Sequence, residues 1–381
     1  MKKKVLVLTR YYLPSMKGGG PIQSIKNLVD NLSDKIEFFI VAGDRDLGDE
    51  EPFKNIKIKE WTKLKKENIY YINPSELSFK KLELILESNN YDAVYINSFF
   101  DYRFGIQAVI LKKVKNHKIR NIVIAPRGQF SPGAMNLKLI KKQAFILLSK
   151  VFKLFDSITW HATSSEEKEY IHDKFGSDIK VLTANNLTQN YSELIYNKTI
   201  IKETGELKVL FISRIHPKKN LAQAINFLKK VSGNVEFNIY GPIEDKIYWN
   251  KCKKNIDSLP SNIAVKYNGL ISHEEVMSVF NNNHIFLFPT LGENFGHVIS
   301  EALIGGCPVI TSDQTPWRHL SESGVGWDLN LSNENEFVDV IQKCVDLNQK
   351  EYRIFSEKAF EYGRSKSNRQ EDIAKSYELF S

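Results

Sequence analysis

Short apolar runs of strand length alternate with longer amphipathic segments along this chain, and they do so twice. The first series predicts strands at 4–9, 36–42, 93–97, 121–125, 158–161 and 179–183. Helical stretches fall between them, near 22–32, 103–114, 137–155 and 165–173. A polar, weakly patterned segment, 184–206, interrupts the pattern. The second series predicts strands at 208–213, 235–240, 263–266, 285–288 and 308–311. Its helices fall near 219–231, 244–256, 273–280, 297–304 and 333–346, and from about 350 the chain reads as helix. Such alternation predicts a parallel sheet with helices on both faces, because each crossover helix covers one side of the strands it joins. Two series therefore predict an α/β protein with two Rossmann-like, doubly wound domains, residues 1–190 and 206–360, facing a cleft. Sheets of this kind bind ligands beyond the carboxyl ends of their strands. The chemistry is expected in loops that follow strands.

Length agrees, since 381 residues are too many for one ordinary core. No apolar run is long enough to span a bilayer, and Val5 to Leu8 is too short for a signal-peptide core. A cytoplasmic location is expected. The three cysteines, Cys252, Cys307 and Cys344, have no metal-ligand spacing and suit a reducing compartment. Charge is uneven. Residues 1–195 carry 31 Lys+Arg against 22 Asp+Glu, whereas the remainder carries 22 against 23. A basic first half implies an anionic partner on that side. The excess is diffuse and lacks interleaved aromatic and basic motifs, so nucleic acid is not expected as a partner.

Four segments carry candidate chemistry. Gly18-Gly19-Gly20-Pro21 follows the first strand; glycines permit close backbone approach and Pro21 suits a first helical turn, where N–H groups can bind phosphate. Its ordinary reading is a flexible turn. Arg214 lies just past a strand and Lys219 at the next helix start, so both cations can converge on one anion; the ordinary reading is two surface cations. The strongest signal is Gly292-Glu293-Asn294-Phe295-Gly296-His297-Val298-Ile299-Ser300-Glu301. Glu293 falls in a loop, Gly296 opens a helix, and backbone N–H groups near Phe295, Gly296 and His297 would face a bound anion. Glu301 is embedded among Val298, Ile299, Ala302 and Leu303, and a half-buried carboxylate there needs a partner. Finally, Asp44-Arg45-Asp46 has the spacing of a metal-holding Asp-x-Asp pair. It lies in an acidic loop after only the second strand, and Mg²⁺ needs carboxylates arranged around substrate phosphates. No metal is expected.

Together these pieces resemble the retaining glycosyltransferases of the GT-B fold, family four or "group 1", over nearly the whole chain. The most specific part is Glu293-x7-Glu301, continued by Gly305-Gly306-Cys307-Pro308-Val309-Ile310. Ser213-Arg214 to Lys219 is similar to the family's Gly-Arg to Lys region, and Gly18 to Gly20 to its Gly-Gly loop. The resemblance implies that Arg214 and Lys219 bind the donor diphosphate, Glu293 the hydroxyls of the transferred sugar, and Glu301 the ribose. It implies that Asn294, Phe295, Gly296 and His297 line the donor site, that Gly19 or Gly20 closes over the phosphate, and that Gly241 and Leu270 approach the nucleobase. It implies that a terminal helix, within 361–381, packs back on the first domain. Arg127 stands where many members have a histidine facing the donor sugar. Ser213 and Asn220 replace glycines, and Asn185-Asn186-Leu187 replaces a Pro-Asn-Gly.

The reaction implied is transfer of a glycosyl unit from a nucleoside diphosphate sugar, UDP favoured over GDP, to an acceptor hydroxyl with retention, without a cofactor. The acceptor expected is a glycan or lipid-linked molecule of surface polysaccharide or glycolipid assembly. An epimerase or phosphorylase on the same fold is the rival. The segment 137–155 is amphipathic and basic, with Lys138, Lys142 and Lys153 on one side and Ile140, Leu147, Leu148 and Val151 on the other. The ordinary reading makes that apolar side core; the alternative is a helix facing an anionic membrane.

Overall fold

The computed structural model describes residues 2–115, 119–135, 139–191, 193–272, 274–367 and 370–381. The chain divides into two compact units, Met1–Gln189 with Asn368–Ser381, and Asn190–Ser367.

The first unit runs β1 (Lys3–Leu8), α1 (Gly20–Leu32), β2 (Ile36–Gly43), β3 (Trp61–Lys63), β4 (Asn68–Ile72), α2 (Phe79–Glu87), β5 (Ala93–Ile96), α3 (Gln107–Lys115), β6 (Asn121–Ile124), α4 (Pro132–Met135), α5 (Leu139–Val151), β7 (Thr159–Ala162), α6 (Ser165–Phe175) and β8 (Val181–Thr183). The sheet order is β3-β4-β2-β1-β5-β6-β7-β8, parallel throughout except for β3 against β4. Both faces are covered, so the strands read as apolar runs rather than alternating ones. Val5 and Val7 pack on one face with Ile25 and Leu28 of α1, while Leu6 and Leu8 pack on the other with Leu82 of α2 and Val109 of α3.

The second unit runs β9 (Glu206–Ile212), α7 (Leu221–Leu228), β10 (Asn234–Tyr240), α8 (Lys246–Asp257), β11 (Ile263–Tyr267), α9 (Val276–Asn281), β12 (Ile285–Phe288), α10 (His297–Ile304), β13 (Val309–Ser312), β14 (Gly326–Leu329), α11 (Glu334–Asp346) and α12 (Gln349–Lys366). Its sheet, β11-β10-β9-β12-β13-β14, is wholly parallel. Asn348 and Glu351 close a reciprocal cap on α12, each side chain accepting from the other's backbone N–H. Gly363 lets α12 lie close to α10: a Cβ there would come within 2.7 Å of the Ile304 nitrogen. The chain then rejoins the first unit as α13 (Gln370–Glu378), which packs beside α1. Phe380 seats edge-on against Phe38 and Tyr95 at 6.4 and 5.7 Å.

Every sequence-predicted strand is present. The sequence reading missed β3, β4, α2, α4 and β14. β3 and β14 are edge strands of three and four residues, and neither contains a sustained apolar run. The expected helix 103–114 begins with a π-turn at Tyr102–Ile106 before α3. Leu137 and Lys138 lie outside the described residues, as do His273, Asn368 and Arg369. The ordinary reading of the basic helix is corrected. Ile146 and Ser149 are its buried residues, whereas Ile140, Leu147, Leu148 and Val151 are exposed.

Candidate donor site

In the second unit β9 and β12 are neighbours at the centre of the sheet, and the chain leaves β9 towards β10 but leaves β12 the other way, towards β13. The loops following β9 and β12 therefore flank the crevice where doubly wound sheets take ligands. Those loops are Ser213–Asn220 and Pro289–Gly296. After β9 the chain makes one 3₁₀ turn, Pro217–Lys219, capped by the His216 ring. Asn220 then adopts a left-handed conformation, φ 60°, which asparagine tolerates well. Its side-chain amide donates to the Pro289 carbonyl at 2.9 Å, and Leu291 N–H donates to the Lys218 carbonyl at 2.8 Å. The two loops are thereby stitched together.

This stitching sets Lys219 against Glu293. The ammonium donates to Glu293 Oε1, and both side chains are only 14% exposed. The Lys219 Nζ also lies 5.5 Å from the centre of the Phe288 ring. Thr290 Oγ1 lies 3.2 Å from Glu293 Oε1 and 3.1 Å from the Lys218 carbonyl, so its single hydrogen is shared between them. Glu293 N–H donates to the Gln314 carbonyl at 3.1 Å, anchoring the loop to the segment after β13. Lys218, which the sequence reading did not single out, belongs to the same cluster. Burial lowers its pKa, the Glu293 charge raises it, and Lys219 and Arg214 lower it. Three cations thus act within one another's field, and Glu293 is the carboxylate that faces Lys218 and Lys219. Arg214 makes its own ion pair with Glu244, 2.7 Å from Nη1 to Oε2. Glu244 and Thr290 are the other members missed from the sequence; neither stands in a motif.

Gly296, φ 78°, is the N-cap of α10 and has no side chain with which to satisfy first-turn N–H groups. A Cβ on Gly296 would lie 3.0 Å from the Ile299 side chain. Phe295 is held by Trp317, whose indole N–H donates to its carbonyl at 2.7 Å, and its ring stands 4.7 Å from that of His297. Asn294 lies between these anchors and Glu293, partly buried. Glu301 is partly buried in the second turn of α10, and its charge adds to burial in raising the Tyr191 pKa. Gly241, φ 131°, follows β10. A Cβ there would come within 1.9 Å of the Ser213 carbonyl oxygen, which makes glycine necessary beside Arg214. Leu270 is exposed in the loop after β11.

The remaining candidates belong to the first unit. Gly19, φ 72°, precedes α1 and Gly20 is its first residue. The turn before them hangs on Asp46, which accepts from Ser15 Oγ at 2.5 Å and Met16 N–H at 2.8 Å. Asp44 pairs with its neighbour Arg45 at 2.8 Å. Both carboxylates of the Asp-x-Asp triplet thus serve the loop itself. Arg127, φ 56°, follows β6 and spreads its guanidinium over Asn97 Oδ1 and Tyr95 OH, both at 2.7 Å, and Asn186 Oδ1. Tyr95 OH meets His161 Nδ1 at 2.8 Å, and His161 Nε2 meets the Ala184 carbonyl at 2.8 Å. A carbonyl can only accept, so Nε2 carries the proton and Nδ1 accepts from Tyr95. Burial first, then Arg127, pushes the His161 pKa down to about 3. The network is a neutral ring and hydroxyl holding one fixed guanidinium.

Two Rossmann-like units, each built on a mostly parallel sheet, make up the GT-B fold, and solved structures share it. HepE of Anabaena, solved with UDP and glucose, matches with a TM-score of 0.70 at 15% identity, covering 99% of this chain and 98% of that one. WaaG, a glycosyltransferase involved in lipopolysaccharide biosynthesis, matches with a TM-score of 0.66 at 13% identity, covering 99% of each. Residues 195–362, most of the second unit, match the model of the glycosyl transferases group 1. An uncharacterised 41.2 kDa protein in the cps region of Klebsiella pneumoniae is 23% identical over 289 residues, 71% of this chain and 74% of that one.

Proposed function

We propose that the chain transfers a hexosyl unit from a nucleoside diphosphate sugar, UDP in preference to GDP, to a hydroxyl of a glycan or lipid-linked acceptor, with retention of configuration. The observation that carries this reading is the cluster of Lys219, Lys218, Arg214 and Glu293 between the loops of β9 and β12. As the anomeric carbon–oxygen bond breaks, negative charge grows on the leaving diphosphate and positive charge on the sugar. Cations and the uncapped start of α10, fixed in place beforehand, stabilise the first. The Glu293 carboxylate accepts sugar hydroxyls and stands near the second. The acceptor hydroxyl attacks from the face the diphosphate leaves, and the departing phosphate oxygen takes its proton. UDP is favoured because HepE was solved with UDP and with UDP-glucose. Surface polysaccharide assembly is favoured by the relative in a cps region and by the role of WaaG.

The test is incubation with UDP- and GDP-hexoses and oligosaccharide or lipid acceptors, with the product's anomeric proton read by NMR. Acceptor-dependent product with the donor's configuration is expected. Conversion of donor without acceptor to its epimer, or a strict requirement for orthophosphate, would overturn the reading.

A further inference from the structure

α5 is amphipathic in the sense opposite to that of an ordinary surface helix. Ile140, Ala144, Leu147, Leu148 and Val151 fall at i, i+4, i+7, i+8 and i+11, a single helical stripe. That stripe faces outward: Ile140 is 82% exposed, Leu147 64%, Leu148 55% and Val151 68%. At the helix end Lys153, φ 47°, reverses the chain so that Leu154 N–H donates to the Ser149 carbonyl at 2.8 Å, leaving Phe152 67% exposed. Lys113 donates to the Phe152 carbonyl at 2.6 Å and so brings the end of α3 alongside, where Val114 is 76% exposed. Scattered apolar residues on a surface are ordinary, but a contiguous stripe of this kind marks an interaction surface.

The charge around the stripe selects its occupant. Lys141 and Lys150, both exposed, flank it on opposite sides of the helix, and Lys153 is exposed beyond its end. Residues 102–155 contain twelve Lys and Arg and no Asp or Glu. Protein interfaces exclude lysine from their centres, and two copies of this face would bring like charges together. An apolar stripe edged by cations instead matches a helix lying in the headgroup region of an anionic bilayer. Among the described residues no helix is long and apolar enough to cross a membrane. The contact would be peripheral.

We propose that the outward face of α5, extended by Phe152 and Val114, docks the protein on an anionic lipid surface. This contact is independent of the donor chemistry in the second unit. The test is cosedimentation of the full chain with phosphatidylcholine vesicles, with and without phosphatidylglycerol, at low and high salt. Binding is expected only with phosphatidylglycerol, and rising salt should weaken it. The triple variant Lys141→Gln, Lys150→Gln, Lys153→Gln should bind about a hundredfold more weakly. The variant Leu147→Ser, Leu148→Ser, Val151→Ser should lose binding at every salt concentration while keeping its Tm and its UDP affinity, since these side chains are exposed. Absence of wild-type binding, or binding untouched by the serine variant, would overturn the proposal. So would a wild-type dimer that ignores vesicles and becomes monomeric in the serine variant, because a second copy would then cover this face.

Discussion

Glu293→Gln separates the ion pair that the structure gives this residue from the sugar contact proposed for it. The glutamine amide keeps the volume and can still accept from Thr290, but it removes the charge facing Lys219. Exposed ion pairs contribute about 0–1 kcal/mol, whereas breaking a fully buried one costs about 3–5 kcal/mol. With both side chains 14% exposed, the pair lies between these limits, and a loss of about 2 kcal/mol is expected. For a unit of this size that corresponds to a Tm lower by roughly 4–8 °C. Lys219→Met together with Glu293→Gln should recover most of this loss, because the half-buried ammonium of Lys219 no longer faces a neutral amide; the coupling read from a double-mutant cycle should be about 2 kcal/mol. Function should separate from stability. Without the carboxylate, Lys218, Lys219 and Arg214 present a more positive site, so UDP should bind at least as tightly by calorimetry. Transfer should fall about a hundredfold or more, since the group facing the sugar is lost. A variant with unchanged Tm, weaker UDP binding and wild-type turnover would refute this reasoning on all three counts.

Acid should destabilise the protein through two buried histidines. Burial holds His161 at about 3 and His284 at about 4, below the ordinary value of 6.5. The unfolded chain therefore binds protons first: stability is full above pH 6.5 and falls as pH drops towards these values, by about 1.4 kcal/mol per histidine per pH unit. Urea unfolding at pH 7.5 and 5.5 measures it, and a flat profile would contradict the burial argument. Gly241→Ala should cost roughly 2–4 kcal/mol and distort the Arg214 loop, because a Cβ meets the Ser213 carbonyl and φ is 131°; unchanged stability would contradict it. Transfer should persist in EDTA, given two or more cations at the diphosphate. Loss on chelation with rescue by Mg²⁺ would instead give Asp44 and Asp46 a role beyond holding their loop.

Much of the fold was legible because buried parallel strands are apolar throughout, and β1, β9 and β12 needed no tertiary information. β14 was not legible: Gly326-Trp327-Asp328-Leu329 has no apolar pattern, and Gly326 is required because a Cβ would come within 2.1 Å of the Val309 carbonyl oxygen. Arg214, Lys219 and Glu293 were visible through position, since each follows a strand. Their partners were not. Lys218 is indistinguishable from a surface lysine until the 3₁₀ turn is known, and Thr290 becomes a hydrogen-bond partner only when Asn220 ties the two loops. The sequence left the face of α5 open between core and an outward-facing helix for a related reason. Periodicity finds an apolar stripe but not which way it points, and here it is Ile146, Ser149 and part of Phe145 that are buried instead.

The central claim is that a nucleoside diphosphate is held by the loops after β9 and β12 and by the start of α10. Hydrogen–deuterium exchange of the full chain with and without UDP, in EDTA, tests it most directly. The account predicts slowed exchange in 213–220 and 290–301. Slowing confined to the first unit, or at Asp44 to Asp46 and only with added Mg²⁺, would contradict it.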